Sequence, residues 1–306
     1  MSLLLPATET ADPAFLDYDT WPVATQLTAL WQSQLAAAAV VASALPALTE
    51  AVESALPRLM AGGRLIYAGA GSSGRLAAQD GAELEPTYNW PPERMCLLIA
   101  GGREALLNAV ENAEDNAEAG RAEVEALALT ENDVVVGIAA SGRTPYTVAC
   151  VKAARNAGAL TLGIANVPET PLLLAAEHAV FVGTGAEPIA GSTRMKAGTA
   201  QKIVLNLFST SLMTGLGRVY KARMVDMRSR NAKLRERAVR MVVNLTECSE
   251  ENARIALEQT EGHVKPAVLI ALGAEKKAAH AELLRSDDNL RMALSRLGLA
   301  RTSLCT

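Results

Sequence analysis

Two segments of this 306-residue chain repeat one pattern: RLIYAGAGSSGR at 64–75 and DVVVGIAASGRTP at 133–145. Each is a continuous apolar run, then a loop of Gly, Ala and Ser ending in Ser-Gly-Arg, then a helical pattern. Further apolar runs stand at 95–100, 160–166 and 179–184, with helical patterns at about 73–84, 104–127 and 145–157. Uninterrupted apolar strands alternating with helices predict a five-stranded parallel sheet covered on both faces, a three-layer α/β/α sandwich. Ligands of such sheets bind beyond the carboxyl ends of the strands, where the strand order switches. Both loops belong at that edge. A loop of this kind turns backbone N–H groups, hydroxyls and a helix N-terminus toward one small volume, which suits a phosphate dianion. Two in one sheet predict a phosphorylated small molecule held by Gly71, Ser72, Ser73, Arg75, Ser141, Arg143 and Thr144.

The flanking regions read differently. Residues 1–20 are polar and irregular and read as an arm. Residues 22–60 carry apolar positions at helical spacing, stopped by Gly62-Gly63. After residue 194 the strands stop. A long helix is predicted at 194–216, followed by helices near 229–247, 250–259, 263–273, 276–285 and 289–297. This gives an arm at 1–20, an α/β domain carrying the two phosphate-type loops at 21–228 and a helical C-terminal module at 229–306. Half of the residues are hydrophobic, enough for a sizeable core, and the net charge of −4 without any Lys/Arg run argues against a nucleic-acid partner.

Cys96, Cys150, Cys248 and Cys305 are widely separated, and two lie in apolar periodic segments, so free thiols are expected. His178, His263 and His280 have no partner at metal spacing, and no metal is expected. The N-terminus is too short and acidic for a signal peptide. The most apolar stretch, 35–48, falls short of the roughly 20 residues of a membrane span and contains Pro46. A cytoplasmic protein without a membrane partner is the expectation. The Ala/Leu-rich helix at 22–60 is too apolar to stay mostly exposed, which predicts a homodimer.

Gly69-Ala70-Gly71-Ser72-Ser73-Gly74 matches the dinucleotide pattern G-x-G-x-x-G. The acid that should bind a ribose about 20 residues later is missing there, since Pro91-Pro92-Glu93 precedes the second strand. Serines at both variable positions favour a terminal phosphate, and no Gly-Lys-Ser/Thr follows to make a Walker A loop. A third segment, Glu187 to Lys196, follows the fifth strand and opens the long helix. Ser192 or Thr193 reads as its N-cap. Lys196 in the first turn opposes the helix dipole, so an anion or a carboxylate such as Glu187 is expected beside it, and Glu187, Ser192, Thr193 and Lys196 join the candidate phosphate-binding residues.

The loops GAGSSGR and GIAASGRTPY, together with GSTRMKAGTAQK at 191–202, resemble those of the N-acetylmuramic acid 6-phosphate etherases, bacterial members of the sugar-isomerase (SIS) fold related to glucokinase regulatory protein. The similarity extends through MVDMRSRNAKLRERAVR at 224–240 and GHVKPAVL at 262–269, where Lys265 is a further candidate to reach a ligand. The resemblance implies cleavage of the D-lactyl ether of the sugar by elimination and hydration, with an amino-sugar 6-phosphate as substrate and neither metal nor nucleotide as cofactor. It also implies two catalytic carboxylates. The family's D-A-S-E-C-P-P-T motif reads here from Asp80 to Thr87 and puts Glu83 in the acid/base role. An E-G-A-E-D motif reads from Glu111 to Asp115 and gives Glu114. Here Ala82, Leu84 and Glu85 depart from the first motif, and Thr8 to Pro13 lacks the Arg-Asn pair of the family's N-terminal pattern. Ring opening makes the C2 proton acidic, so one glutamate can act as base at C2 and the other can protonate the departing lactate oxygen. An aldose–ketose isomerase of phosphosugars or a non-catalytic sugar-phosphate sensor would need the same cradle, but a sensor has no need of both glutamates.

Overall fold

The computed structural model describes residues 6–227 and 232–300. The chain divides into two compact units. One holds the described residues up to Ala82 with Pro92–Ser209, and the other holds Glu83–Pro91 with those from Thr210 onward. The second unit therefore begins earlier than the sequence suggests, because Val225 and Met227 are buried in its core.

The first unit opens with the arm, which forms three 3₁₀ turns: Ala7–Glu9, Pro13–Phe15 and Tyr18–Thr20. Phe15, Tyr18 and Trp21 cluster with ring centroids 5.6–6.1 Å apart. The helix expected over 22–60 is two helices, α1 (Val23–Val40) and α2 (Leu45–Met60), joined by a 3₁₀ turn at Val41–Ala44. Pro46 explains the break, since its ring lacks an N–H and excludes a carbonyl one turn back. The whole stretch is long and apolar enough to cross a bilayer by length and composition, yet α2 buries Leu48, Ala51, Ala55 and Leu59.

Strand β1 (Leu65–Gly69) leads into α3 (Gly71–Tyr88), then come β2 (Met95–Ile99), a 3₁₀ turn at Gly102–Leu106 and α4 (Ala117–Ala126). β3 (Val134–Ile138), α5 (Pro145–Asn156), β4 (Leu160–Ala165), α6 (Pro171–Ala175) and β5 (His178–Phe181) follow, and then α7 (Lys196–Gly215). The five strands are parallel in the order β2-β1-β3-β4-β5. β1, β3 and β4 are buried at every position, as their uninterrupted apolar runs require. The order reverses between β1 and β3, so the two Ser-Gly-Arg loops leave neighbouring strands at the switch point.

The helix expected over 104–127 survives only at 117–126. Asn112 takes a positive φ of 59° and Asn116 caps α4 by accepting from the Ala119 N–H, so 107–116 is irregular.

In the second unit β6 (Val219–Tyr220) and β7 (Arg223–Met224) form a small antiparallel ladder that the sequence does not announce. Its turn residues, Lys221 and Ala222, both have positive φ, the geometry usually given to Asn-Gly. Then come α8 (Ala232–Thr246), α9 (Glu250–Gln259), α10 (Val264–Ala271), α11 (Lys276–Arg285) and α12 (Leu290–Arg296). They bury a core that includes Val242, Ala253, Val268, Ala279 and Ala293.

Candidate active site

The first loop turns directly into α3. Gly71 has a φ of +52°, and Gly74 lies so close to the end of β1 that a Cβ there would stand 2.9 Å from the Gly69 carbonyl oxygen. No side chain fits, so the first turn of the helix rests on strand backbone. Ser73 is buried and Ser72 half-buried at that turn. In the second loop Gly142 has a φ of +62°, and a Cβ would stand 2.1 Å from Thr170 Oγ1. The Ser141 hydroxyl accepts from the Arg143 N–H at 3.2 Å, and Leu172 N–H donates to the Gly142 carbonyl. Thr144 precedes Pro145 at the start of α5 and makes no side-chain capping bond there. The structure thus sets Ser72, Ser73, Ser141 and Thr144 on adjacent strand ends beside two helix starts, the arrangement that favours an anion.

Arg75 points elsewhere. Its Nε donates to the carbonyl oxygens of Ala105 (3.0 Å) and Leu106 (3.2 Å), and its Nη2 to that of Asn108 (3.0 Å). Glu114 lies in the irregular stretch before α4 with an exposed side chain, and its carbonyl accepts from the Tyr146 N–H at 3.0 Å. That bond ties the Glu114 backbone to the first turn of α5, directly behind the second loop. Glu83 is exposed on α3. Eleven residues separate it from Ser72, about 16 Å along a helix axis at roughly 1.5 Å per residue.

The third segment answers its own charge. Glu187 is fully buried, and its carboxylate accepts from the N–H groups of Lys196 (2.8 Å) and Ala197 (2.9 Å). Lys196 Nζ donates to the Ala186 carbonyl at 2.8 Å. Glu187 therefore caps α7, in place of the Ser192 or Thr193 cap expected, and those two residues sit in the turn before the helix. The arm closes over this turn: Thr8 is fully buried and its carbonyl accepts from the Gly191 N–H at 2.9 Å. Nothing in the polar composition of residues 1–20 signalled that contact.

Asp80, the first residue of the Glu83 motif, has a structural partner. Tyr67 donates to its carboxylate at 2.9 Å and Ser209 at 3.2 Å. Burial raises its pKa, with those bonds acting against the rise. Lys265 likewise has partners within the second unit. Its Nζ lies 2.6 Å from Asp288 and 3.1 Å from Asp226, with only 2% of the side chain exposed. Arg218 also donates to Asp226, at 2.9 Å. Lys265 thus pairs with one largely buried and one exposed carboxylate of its own unit. Among the described residues no cluster of metal-ligating side chains occurs. Cys96, Cys150 and Cys248 are free thiols, whereas Cys305 lies outside the described residues.

Comparison with known proteins bears on the same region. Residues 47–155 match the glucokinase regulatory protein N-terminal SIS domain and residues 110–211 match the SIS domain. A protein of Deinococcus radiodurans named N-acetylmuramic acid 6-phosphate etherase is 47% identical over 278 residues, 90% of this chain and 91% of that protein. Proteins of the same name from Cronobacter sakazakii and Streptomyces coelicolor are 46% and 47% identical, covering 94% and 84% of this chain and 97% and 83% of theirs. A phosphoheptose isomerase from Francisella tularensis shares the fold, with a TM-score of 0.50 at 19% identity over 63% of this chain and all of that one.

Proposed function

The chain belongs to the N-acetylmuramic acid 6-phosphate etherase family, and we propose that it is a lyase converting N-acetylmuramic acid 6-phosphate to N-acetylglucosamine 6-phosphate and D-lactate. One observation carries the reading beyond family membership. Glu114, outside any helix, is tied by its backbone to the start of α5 beside the second of two phosphate-type loops. A carboxylate so placed can face an open-chain sugar whose 6-phosphate rests on the loops.

In the proposed reaction the Glu114 carboxylate takes the C2 proton of the open-chain aldehyde. The electron pair forms the C2–C3 double bond as the C3–O bond breaks, and Glu83 gives its proton to the lactate oxygen. Water then adds at C3, with Glu83 taking its proton, and C2 is reprotonated. Glu114→Gln should abolish both lactate release and deuterium uptake at C2 from solvent. Glu83→Gln should abolish lactate release while retaining C2 exchange. Full lactate release from either variant overturns the assignment.

The separation between Ser72 and Glu83 on α3 bears on assembly. We assign the protein to a homodimer in which Glu83 of a second copy completes the site. An apolar ridge supports it: Val23, Leu27, Trp31 and Leu35, one every fourth residue on α1, are 51–68% exposed. Coexpressed Glu83→Gln and Glu114→Gln chains should recover about a quarter of wild-type activity, since half of randomly paired dimers would hold one intact site of two. No recovery would place both glutamates in one copy. A cytoplasmic location fits the free thiols, and recovery of the activity in a membrane fraction would overturn it.

A further inference from the structure

The irregular segment that carries Glu114 is held at both ends by the helices that follow the two phosphate-type loops. At its start, Arg75, in the second turn of α3, donates to the carbonyl oxygens of Ala105, Leu106 and Asn108 at 3.0–3.2 Å. Beneath those bonds the Ala105 side chain is buried against Ala78 of α3 and Ile99 of β2. At its end the Glu114 carbonyl takes the Tyr146 N–H of α5, and the Asn116 side chain starts α4. Between these anchors the chain has no regular structure of its own, and Asn112 stands at a positive φ. Where Glu114 stands therefore depends on the anchors.

An arginine that reads phosphate turns its guanidinium fork toward the dianion. Here Nε and Nη2 are both committed to main-chain oxygens, and a planar fork is the group able to hold three carbonyls in a row. We propose that Arg75 is a positioning residue. It fixes the 102–116 segment on α3 and so sets the Glu114 carboxylate relative to the helix turn of Ser72 and Ser73. This rests on the etherase reading for what Glu114 does, but the clamp itself is independent of the reaction.

The test compares Arg75→Gln and Arg75→Lys with the wild type. Three quantities are read: kcat and KM for N-acetylmuramic acid 6-phosphate, the Kd of N-acetylglucosamine 6-phosphate by calorimetry, and hydrogen exchange of peptides spanning 102–116. A loosened Glu114 segment should lower kcat about 10- to 100-fold. KM and the product Kd should stay within about threefold, because phosphate contacts are kept. Peptides of 102–116 should exchange faster. Arg75→Lys keeps the charge but gathers its donors on a single nitrogen, should fall between the two, and carries the test if Arg75→Gln does not fold. A Kd weakened about tenfold or more with unchanged exchange would make Arg75 a phosphate ligand and overturn the proposal. Unchanged kcat and exchange would overturn it as well. If the wild type releases no lactate the etherase reading fails, and the exchange and Kd measurements still judge the clamp.

Discussion

At the amino edge of the parallel sheet, Arg64 and Asp133 meet in a bidentate pair. Asp133 Oδ1 accepts from the Arg64 backbone N–H (2.8 Å) and Nε (3.1 Å). Its Oδ2 accepts from Arg64 Nη2 and from the Thr130 N–H, both at 2.8 Å. This pair closes the entries to β1 and β3. At the carboxyl edge of the same two strands, glycines sit at positive φ and Thr144 caps nothing. Beyond β4 and β5, the buried hydroxyls of Thr170 and Thr184 have no partner. A buried polar group without a partner costs free energy. The amino ends of these two strands are tied together by their own ion pair, whereas their carboxyl ends run into glycine loops and helix starts.

Variants can break this contrast. The largest effect is expected from Asp133→Ala, which takes the acceptor from the Arg64 backbone N–H and Nε and from the Thr130 N–H and leaves the guanidinium only the Leu127 and Ala128 carbonyls. It should lower the unfolding free energy by about 3 kcal/mol in urea titration. The kcat should stay at the wild-type value, and an activity loss at intact stability would erase the distinction between the edges.

Acid should act on the same pair. Burial of Asp133 works against its charge, but the bonds from Arg64 and the Thr130 N–H outweigh it and hold the pKa down to about 2. Its contribution, about 2 kcal/mol, is therefore complete above pH ~4 and lost as pH falls toward ~2. Asp133→Asn should flatten the stability profile across that window.

Gly142→Ala probes the carboxyl edge. Its methyl would meet Thr170 at a backbone angle that side chains disfavour, worth about 1–2 kcal/mol. The expected result is a fall in kcat/KM of about tenfold or more with a small drop in Tm. A smaller effect, of about 1 kcal/mol read in KM, is expected for Ser72→Ala, which removes one hydroxyl from the phosphate turn. If KM does not move, the first loop does not hold the phosphate.

The sequence made the buried strands legible because both faces of β1, β3 and β4 demand apolar residues at every position. It made the loops legible because only glycine tolerates a helix turn resting on a strand. Other features left little local trace. Leu106, Leu107 and Val110 have helical spacing, yet Leu107 and Val110 are exposed, and Asn112 and Asn116 interrupt the pattern. Glu187 caps a helix from nine residues upstream, a distance set by tertiary folding. Arg75 looked like a phosphate ligand because its position in the Ser-Gly-Arg motif is visible in sequence and the carbonyls it holds are not. The fold class and the resemblance to the family were legible in motifs. The division of labour among the charged residues was not.

Glu187 makes the start of α7 self-sufficient. Its carboxylate fills the place that a free helix N-terminus would offer to an anion. That helix end is occupied by the chain's own anion, and a phosphate could sit on it only by displacing Glu187.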